Sequence, residues 1–272
     1  MLFRSQAHVS LNRLSGEGAW LTAPMIKDGR EMDSSLFRVS LKRRIRAPIF
    51  EADAVCPCCG EAMDRWADHA LVCACAGDRT VRHNAVRNQV CADAQDASLR
   101  PERGKAGLLP ERPQSDDLPR QRRGRRPADI WLPRGESGRS EALDFAITSS
   151  MRSDIFRQAS LDPGLVFERY ERYKRGYQDT AAQCEARGFE FVPMVLEAHS
   201  GGWSGVARQK LAFIAEQAAQ INHENPDATA LRMAQRISIA LHRENARAVL
   251  RRHVATGSAP SLSAWTDYVD ES

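Results

Sequence analysis

Two aspartates, Asp129 and Asp144, stand within short apolar stretches of the sequence. The alternation of side chains along a strand puts Asp129 and Trp131 on one face of the first stretch, and it turns Asp144 away from Leu143 and Phe145 in the second. A carboxylate among apolar residues is costly without a partner, and two carboxylates on neighbouring strands repel each other unless a cation lies between them. The pair therefore predicts a divalent-metal site of the kind used in phosphodiester chemistry. A solvated aspartate on an edge strand is the alternative interpretation of each one.

A second candidate site is a cluster of cysteines, since five of the seven lie from position 56 to position 75. An odd, locally clustered set argues against a disulfide scaffold and for a metal in a reducing compartment. Cys56-x2-Cys59 is typical of a tight knuckle, and His69-x3-Cys73 places two ligands one turn apart on a helix. Three thiolates and one imidazole complete a structural zinc site, although buried free cysteines beside an unrelated histidine remain the alternative. The two spare thiols that can replace a ligand belong to Cys58 and Cys75.

Length and composition are those of a soluble globular protein with room for one large or two small domains. The chain has 272 residues, 42% of them hydrophobic and 27% charged, with a formal net charge of +4. Basic residues concentrate in three runs, which indicate either a nucleic-acid partner or solvated faces. No apolar run approaches the roughly 20 residues that span a membrane, and the N-terminus has no apolar signal region. We expect an intracellular protein. The basic runs are 42–46, 120–126 and 243–252.

The elements that would position the first site are two helices and three strands. Asp78 is the expected N-cap of a helix from about 79 to 97, in which His83 either contacts phosphate or packs. The region 99–126 reads as a loop rich in proline, arginine and glycine. The two aspartates lie on short strands joined by a turn, and the nearly continuous apolar stretch 189–197 predicts a third strand buried on both faces.

Beyond the strands, Asp162-Pro163 predicts the start of a helix that ends at Gly188. Lys174 lies at the edge of this helix's apolar stripe, where it either reaches over the sheet toward the carboxylates or faces solvent. Ser204 and Asn225 begin two further helices, to about 220 and 254, and the last is basic toward its end. Residues 37–41 form a strand or the start of a helix. The stripe that we predict to be core consists of Val166, Tyr170, Tyr173, Tyr177, Ala181 and Cys184.

The order of helix, two acid-bearing strands, helix, buried strand and helix is that of the restriction-endonuclease-like fold. Together with the cysteine–histidine knuckle, it resembles the C-terminal region of site-specific non-LTR retrotransposon (reverse transcriptase) proteins, where a zinc knuckle precedes a restriction-like endonuclease domain. The resemblance covers about 56–219. The matching pieces are Cys56, Cys59, His69 and Cys73; Arg82-His83-Asn84; Arg126-Pro127-Ala128-Asp129; Leu143-Asp144-Phe145-Ala146-Ile147-Thr148; Tyr170-Glu171-x2-Lys174-x2-Tyr177; and Phe191-x-Pro193, Glu197 and Gly201-Gly202.

The resemblance implies an α/β (mixed α+β) protein with a PD-(D/E)xK core, in which a small mixed sheet is flanked by helices and preceded by the zinc knuckle. Asp129 and Asp144 would hold Mg²⁺ or Mn²⁺, Lys174 would stabilise charge on the phosphate, and Glu102 or Glu111 would add a carboxylate. The expected domains are an N-terminal basic segment, the knuckle, the endonuclease domain, and a C-terminal basic helix and tail that offers a surface to the DNA backbone. Their bounds are 1–50, 51–76, 77–220 and 221–272.

The same resemblance implies partners and a location. The substrate would be DNA, with RNA as a further partner, and the product would be a nick whose 3′ hydroxyl primes a separate reverse transcriptase. A protein of this kind is expected in the nucleus. The sequence does not fix an oligomeric state.

The sequence departs from the pattern of this fold in two places. The usual lysine two residues after the second acid is absent, since Asp144 is followed by Phe145-Ala146, and Lys174 comes thirty residues later. No Tyr-x-Asp-Asp motif of a polymerase palm is present either. Two further hypotheses therefore stand beside the endonuclease: a zinc-dependent nucleic-acid-binding protein that keeps the fold and has lost cleavage, and a remnant without activity.

Overall fold

The chain folds into a mixed α/β structure of about 53% helix around a small mixed sheet. The computed structural model describes residues 2–12, 18–24, 28, 30–110 and 127–255. Glu111, the basic run 120–126 and the tail from 256 lie outside the described residues. Within the described ranges, no helix is both long and apolar enough to cross a membrane.

A four-stranded sheet forms the centre of the protein. Its spatial order is β3-β4-β5-β6, with the first two pairings antiparallel and β5 parallel to β6. Strand β4 pairs only with 141–143 of β5, so the later part of β5 has no strand on that side among the described residues. The sheet strands are β3 (Glu102–Arg103), β4 (Ile130–Leu132), β5 (Glu141–Thr148) and β6 (Glu190–Glu197).

Helices cover both faces of the sheet. One face packs against α4, α8 and α9, through an apolar cluster that includes Val86, Phe145 and Ile237. The other face packs against α6 and α7, with Phe167 and Cys184 among its buried contacts. These helices are α4 (Asp78–Asp96), α6 (Leu165–Gly176), α7 (Thr180–Ala186), α8 (Gly205–Asn222) and α9 (Pro226–Ala255).

A second apolar cluster joins the N-terminal region and the cysteine-rich segment to α9. Trp20, Met63, Leu71 and Val249 all belong to it. Apolar contacts therefore run across the expected segment boundaries, because α9 contributes to this cluster and to the core beneath the sheet. The remaining elements are α1 (Leu2–Leu11), α2 (Ser34–Arg44), a hairpin of β1 (Ala54–Val55) and β2 (Ala62–Met63), α3 (Asp68–Val72) and α5 (Phe156–Leu161).

Most of the expected elements are present, and two helix starts are confirmed in detail. Ser204 caps α8 by accepting a hydrogen bond from the Ala207 N–H, and Asn225 accepts one from the Ala228 N–H at the start of α9. Asp78 is different, because α4 begins after Gly77, whose φ of 71° only glycine adopts freely. The Asp78 side chain is buried and pairs with Arg251 and Arg252, so it is an ion-pair partner and not the cap.

The helix expected over 162–188 is divided into two. Helix α6 ends at Gly176, and positive φ angles at Gln178 and Asp179 turn the chain before α7 begins. The predicted apolar stripe does not stay on one buried face, even within α6. Tyr173 and Tyr177 are 57% and 45% exposed, so their assignment to the core is wrong.

The basic residues of α9 hold the helix to the rest of the protein. Arg236 pairs with Asp93 at 2.7 Å, and Arg252, which is fully buried, pairs with Asp78 at 2.6 Å. The expected DNA-backbone surface on this helix is therefore wrong for these arginines. The run 42–46 is used in a similar way, since Arg46 forms a two-point contact with the Asp68 carboxylate.

Candidate metal centre and carboxylate cleft

Four predicted zinc ligands converge on one point. Ligand atoms of Cys56, Cys59, His69 and Cys73 all lie within 4.8 Å of one another, which confirms that this Cys3His cluster can hold a metal such as zinc. The β1–β2 hairpin supplies the first two ligands, and its turn is closed by a hydrogen bond from the Gly60 N–H to the Cys56 carbonyl at 2.9 Å. Helix α3 and the residue after it supply the other two.

The surroundings of the Cys3His cluster fit a charged thiolate site. Zn²⁺ with three thiolates and a neutral imidazole carries one net negative charge. Arg252 lies beside this cluster, and two of its guanidinium nitrogens have no oxygen or nitrogen partner in the described residues. Burial lowers the pKa of Arg252, but the nearby sulfurs of Cys73 and Cys56 outweigh it and raise the pKa. A buried guanidinium against thiolates is the kind of outer contact that tunes a metal site.

Strand register brings the two aspartates together. Ile130 stands opposite Leu143, so Asp129, one residue earlier, lies opposite Asp144 in the antiparallel pair. Side chains of opposed residues point to the same face of a sheet and lie close to each other. The Phe145 N–H also donates to Asp129 Oδ2 at 2.8 Å, which fixes the Asp129 carboxylate where β4 begins.

Lys174 reaches these carboxylates from α6. Its Nζ lies 2.8 Å from Asp144 Oδ2, and the two side chains are 21% and 20% exposed. The lysine therefore does not face solvent, although it is far from Asp144 in the sequence. Helix α6 packs on β6 beside β5, and this packing carries the lysine over the sheet. A catalytic role for Lys174 stays a prediction.

His83 joins the site through a contact with Asp129 that the sequence did not predict. Its Nε2 lies 3.1 Å from Asp129 Oδ2 and 3.3 Å from the Phe145 carbonyl, and its ring meets the Phe145 ring edge-on. One signal was available, because His83 precedes Val86 by three residues and therefore shares its buried helix face. We give the name carboxylate cleft to Asp129, Asp144, Lys174 and His83 together.

The charges in the carboxylate cleft shift each other's pKa. Burial, helped by the nearby Asp129 charge, raises the pKa of Asp144 to about 6 in spite of Lys174. Burial also raises the pKa of Asp129, but the hydrogen bond and charge of His83 outweigh it and the pKa is lowered. For His83 the balance is reversed, since burial lowers its pKa and the Asp129 contact raises it overall. Asp129 and His83 therefore favour each other's charged form, whereas Asp144 is the carboxylate that burial leaves least stable as an anion.

Glu102 does not join the carboxylate cleft. It lies on the edge strand β3 and pairs with Lys105 at 2.8 Å, and its side chain is 53% exposed. Among the described residues it makes no hydrogen bond to Asp129 or Asp144, so a role as a third carboxylate has no support. Two members of the cleft, His83 and Lys174, line a hollow of about 390 Å³ together with Arg79 and Tyr170.

The two sites are suited to different chemistry. The Cys3His cluster is closed, because the protein supplies all four ligands, and such a site is structural. The carboxylate cleft is partly exposed, since Asp129 and Asp144 are 24% and 20% exposed and the Lys174 amine and His83 imidazole line the hollow. No family model matches this chain, and no curated protein matches it.

Proposed function

We propose that this protein is a metal-dependent DNA endonuclease of retroelement origin, built on a restriction-endonuclease-like fold, that nicks DNA. The observation that carries the proposal is the contact of Lys174 with Asp144, opposite Asp129 in the strand register. Two acids and a lysine at the open edge of a strand make the arrangement that hydrolysis of a phosphodiester requires.

The two carboxylates fit a Mg²⁺ or Mn²⁺ ion. Mg²⁺ is usually held by one or two carboxylates together with water and substrate phosphates, so Asp129 and Asp144 suffice as protein ligands. A cation there would also stabilise the anionic form of Asp144, which burial disfavours. When bound, the ion lowers the pKa of a coordinated water and neutralises charge on the phosphate.

The protein's own side chains would share the remaining work. The Lys174 ammonium lies where negative charge would develop on the scissile phosphate, and a fixed cation there favours the transition state. His83 and the Phe145 N–H hold the Asp129 carboxylate in one orientation. The resulting 3′ hydroxyl would prime a separate reverse transcriptase, which brings RNA to the same complex in the nucleus.

A second candidate function is nucleic-acid binding without cleavage. The specific observation in its favour is that both carboxylates already have protein partners, the Lys174 ammonium at Asp144 and the His83 imidazole at Asp129. A cleft balanced in this way does not require a metal ion to be stable. The absent lysine two residues after Asp144 points in the same direction.

Plasmid nicking separates the two candidates. Zinc-loaded protein is incubated with supercoiled plasmid and Mg²⁺ or Mn²⁺, beside Asp129→Asn and Asp144→Asn. We expect each variant to lose roughly a hundredfold or more of the nicking rate, the size of a lost transition-state contact. Asp227→Asn, an exposed aspartate in the first turn of α9, is the matched control and should nick normally. Salt-dependent DNA binding by a wild-type protein that never nicks would establish the second function instead.

A further inference from the structure

A row of three tyrosine rings extends outward from the carboxylate cleft. Tyr170 packs against Ala146 at the edge of the cleft, and its ring centroid is 5.8 Å from that of Tyr173. Tyr173 in turn is 5.6 Å from Tyr177. The rings meet edge-on or tilted, at 68° and 43°, so they do not cover one another's faces. Because Tyr173 and Tyr177 are about half exposed, this tyrosine row offers open aromatic surface to a ligand.

The tyrosine row borders a basic groove. Tyr170 lines three adjoining hollows, one of which contains Lys174 of the cleft. Arg79, Arg152 and Arg169 are exposed side chains that line these hollows, and the one acid among them is Asp154. Asp154 contacts both Arg152 and Arg169, while Arg79 makes no ion pair within the described ranges. The groove therefore keeps a net positive charge that leads to the cleft.

Aromatic rings beside a positive groove have the chemistry that recognises unpaired nucleic acid. Bases in a duplex are stacked on each other and present no free face, so a duplex contacts such a groove through phosphates alone. An unpaired strand can place its bases on tyrosine rings and its phosphates against arginines. A tyrosine hydroxyl can hydrogen-bond a phosphate, but the exposed faces of the Tyr173 and Tyr177 rings have no role in such a contact, and this favours the unpaired strand.

We propose that the tyrosine row and its groove bind an unpaired DNA strand next to the carboxylate cleft. The inference rests on the proposed function and names its substrate class: DNA nicked beside a single-stranded segment, such as a fork. Tyr170 would anchor the strand at the cleft, and Tyr173 and Tyr177 would stack with the bases that follow.

Binding of fluorescent oligonucleotides tests this without any cleavage. Fluorescence anisotropy is measured with zinc-loaded full-length protein, without Mg²⁺ or Mn²⁺, on a forked DNA and on a fully paired duplex. We expect tighter binding of the fork, and Tyr173→Ala should weaken fork binding about tenfold, within the range for loss of one stacked base, but change duplex binding little. Tyr173→Phe keeps the ring and should bind like wild type. Leu161→Ala removes another exposed apolar side chain, on α5, and is the matched control.

The salt dependence distinguishes stacking from charge. Tyr173→Ala should leave the slope of log affinity against log salt unchanged, whereas Arg152→Ala should reduce it by about one. Equal losses on fork and duplex, a Phe variant as weak as the Ala variant, or a preference for single-stranded RNA of the same sequence would each overturn the inference.

Fork binding and nicking, measured on the wild type and on Asp144→Asn, separate this proposal from the proposed function. Tyrosine-dependent fork preference without nicking would refute only the nuclease, and nicking without that preference would refute only the strand-binding surface.

Discussion

The Cys3His cluster takes its four ligands from one hairpin and one short helix, whereas the carboxylate cleft takes its residues from two helices and two strands that are far apart in the chain. The two sites also differ in how their charges are balanced. In the cleft, Lys174 and His83 partner the carboxylates. In the cluster, three thiols face one another, and the nearby protein cation is Arg252. The cluster should therefore depend on its metal for folding, while the cleft should need a metal only for chemistry.

The two regions are nevertheless physically joined. Arg82 is buried on α4 and donates to the Leu71 carbonyl of α3 at 2.9 Å and to Asn245 of α9 at 2.9 Å. The next residue, His83, holds Asp129. A disturbance of α3 can therefore reach the carboxylate cleft through α4, and a disturbance of the cleft can reach α3 through the same contacts.

Loss of a zinc ligand should have the largest effect. Cys56→Ser removes one of four ligands, and structural zinc contributes on the order of 10 kcal/mol to small metal-dependent folds. We expect this variant to lose zinc and to unfold the cluster together with the apolar contacts of α3 and α9. Metal content by atomic emission and the thermal midpoint measure both losses.

Cys58→Ser is the matched control, because Cys58 neighbours the cluster but is not one of its four converging ligands. It should keep one zinc per chain and a nearly unchanged thermal midpoint. Equal zinc loss in both variants would mean that Cys58 belongs to the ligand set.

Replacement of Lys174, the ammonium at Asp144, should lower the nicking rate far more than the stability of the fold. Lys174→Met is expected to reduce nicking by a hundredfold to a thousandfold, or about 3–4 kcal/mol of transition-state stabilisation, with zinc content unchanged. Lys105, which pairs with Glu102 outside the cleft, provides the control, since Lys105→Met should nick at the wild-type rate. Full activity in the Lys174 variant would show that this lysine serves only as the charge partner of Asp144.

Loss of the Arg252 contact with the Cys3His cluster should have a smaller effect. Arg252→Gln removes the guanidinium that faces the thiolates, and loss of such a contact typically costs ten- to a hundredfold in metal affinity. Competition with a chromogenic chelator measures that affinity. Arg251 also pairs with Asp78 but is half exposed, so Arg251→Gln should bind zinc normally. Similar losses in both variants would trace the effect to Asp78 and not to the thiolates.

The smallest predicted effect concerns the pH dependence of stability in the absence of Mg²⁺ and Mn²⁺. The pKa of Asp144 is raised from an ordinary value of 3.8 to about 6, so the folded state holds its proton more tightly than the unfolded state. Stability therefore falls as pH rises through this window, by roughly 1 kcal/mol between pH 5 and pH 7.5. The Asp144→Asn variant should not lose this stability as the pH rises. Urea unfolding of zinc-loaded protein measures the difference.

Added Mg²⁺ sharpens this test, since a bound cation favours the ionised carboxylate. The wild-type protein should then recover its stability at pH 7.5, and the Asn variant should not respond. A wild-type response to pH that Mg²⁺ leaves unchanged would argue that Asp144 does not bind the ion.

Much of the fold could be predicted because its signals are local. Helix α4, strands β5 and β6, and the caps of α8 and α9 follow from spacing and from residues next to each element. The position of Lys174 over the sheet was one of two open alternatives, since no local pattern shows which way a residue at the edge of an apolar stripe points. The exposure of Tyr173 and Tyr177 was predicted wrongly. Helical spacing alone does not show which face of α6 packs on the sheet, and α6 ends before Tyr177.

The four ligands of the Cys3His cluster could be identified from the sequence, because ligands within two short elements have few possible arrangements. The sequence also determined that two carboxylates lie on neighbouring strands. Tertiary packing alone sets three other features: His83 contacts Asp129, Glu102 lies away from the cleft, and Arg252 of α9 is buried against Asp78. Strand register and helix packing bring these residues together from distant parts of the chain, so no local sequence pattern predicts their contacts.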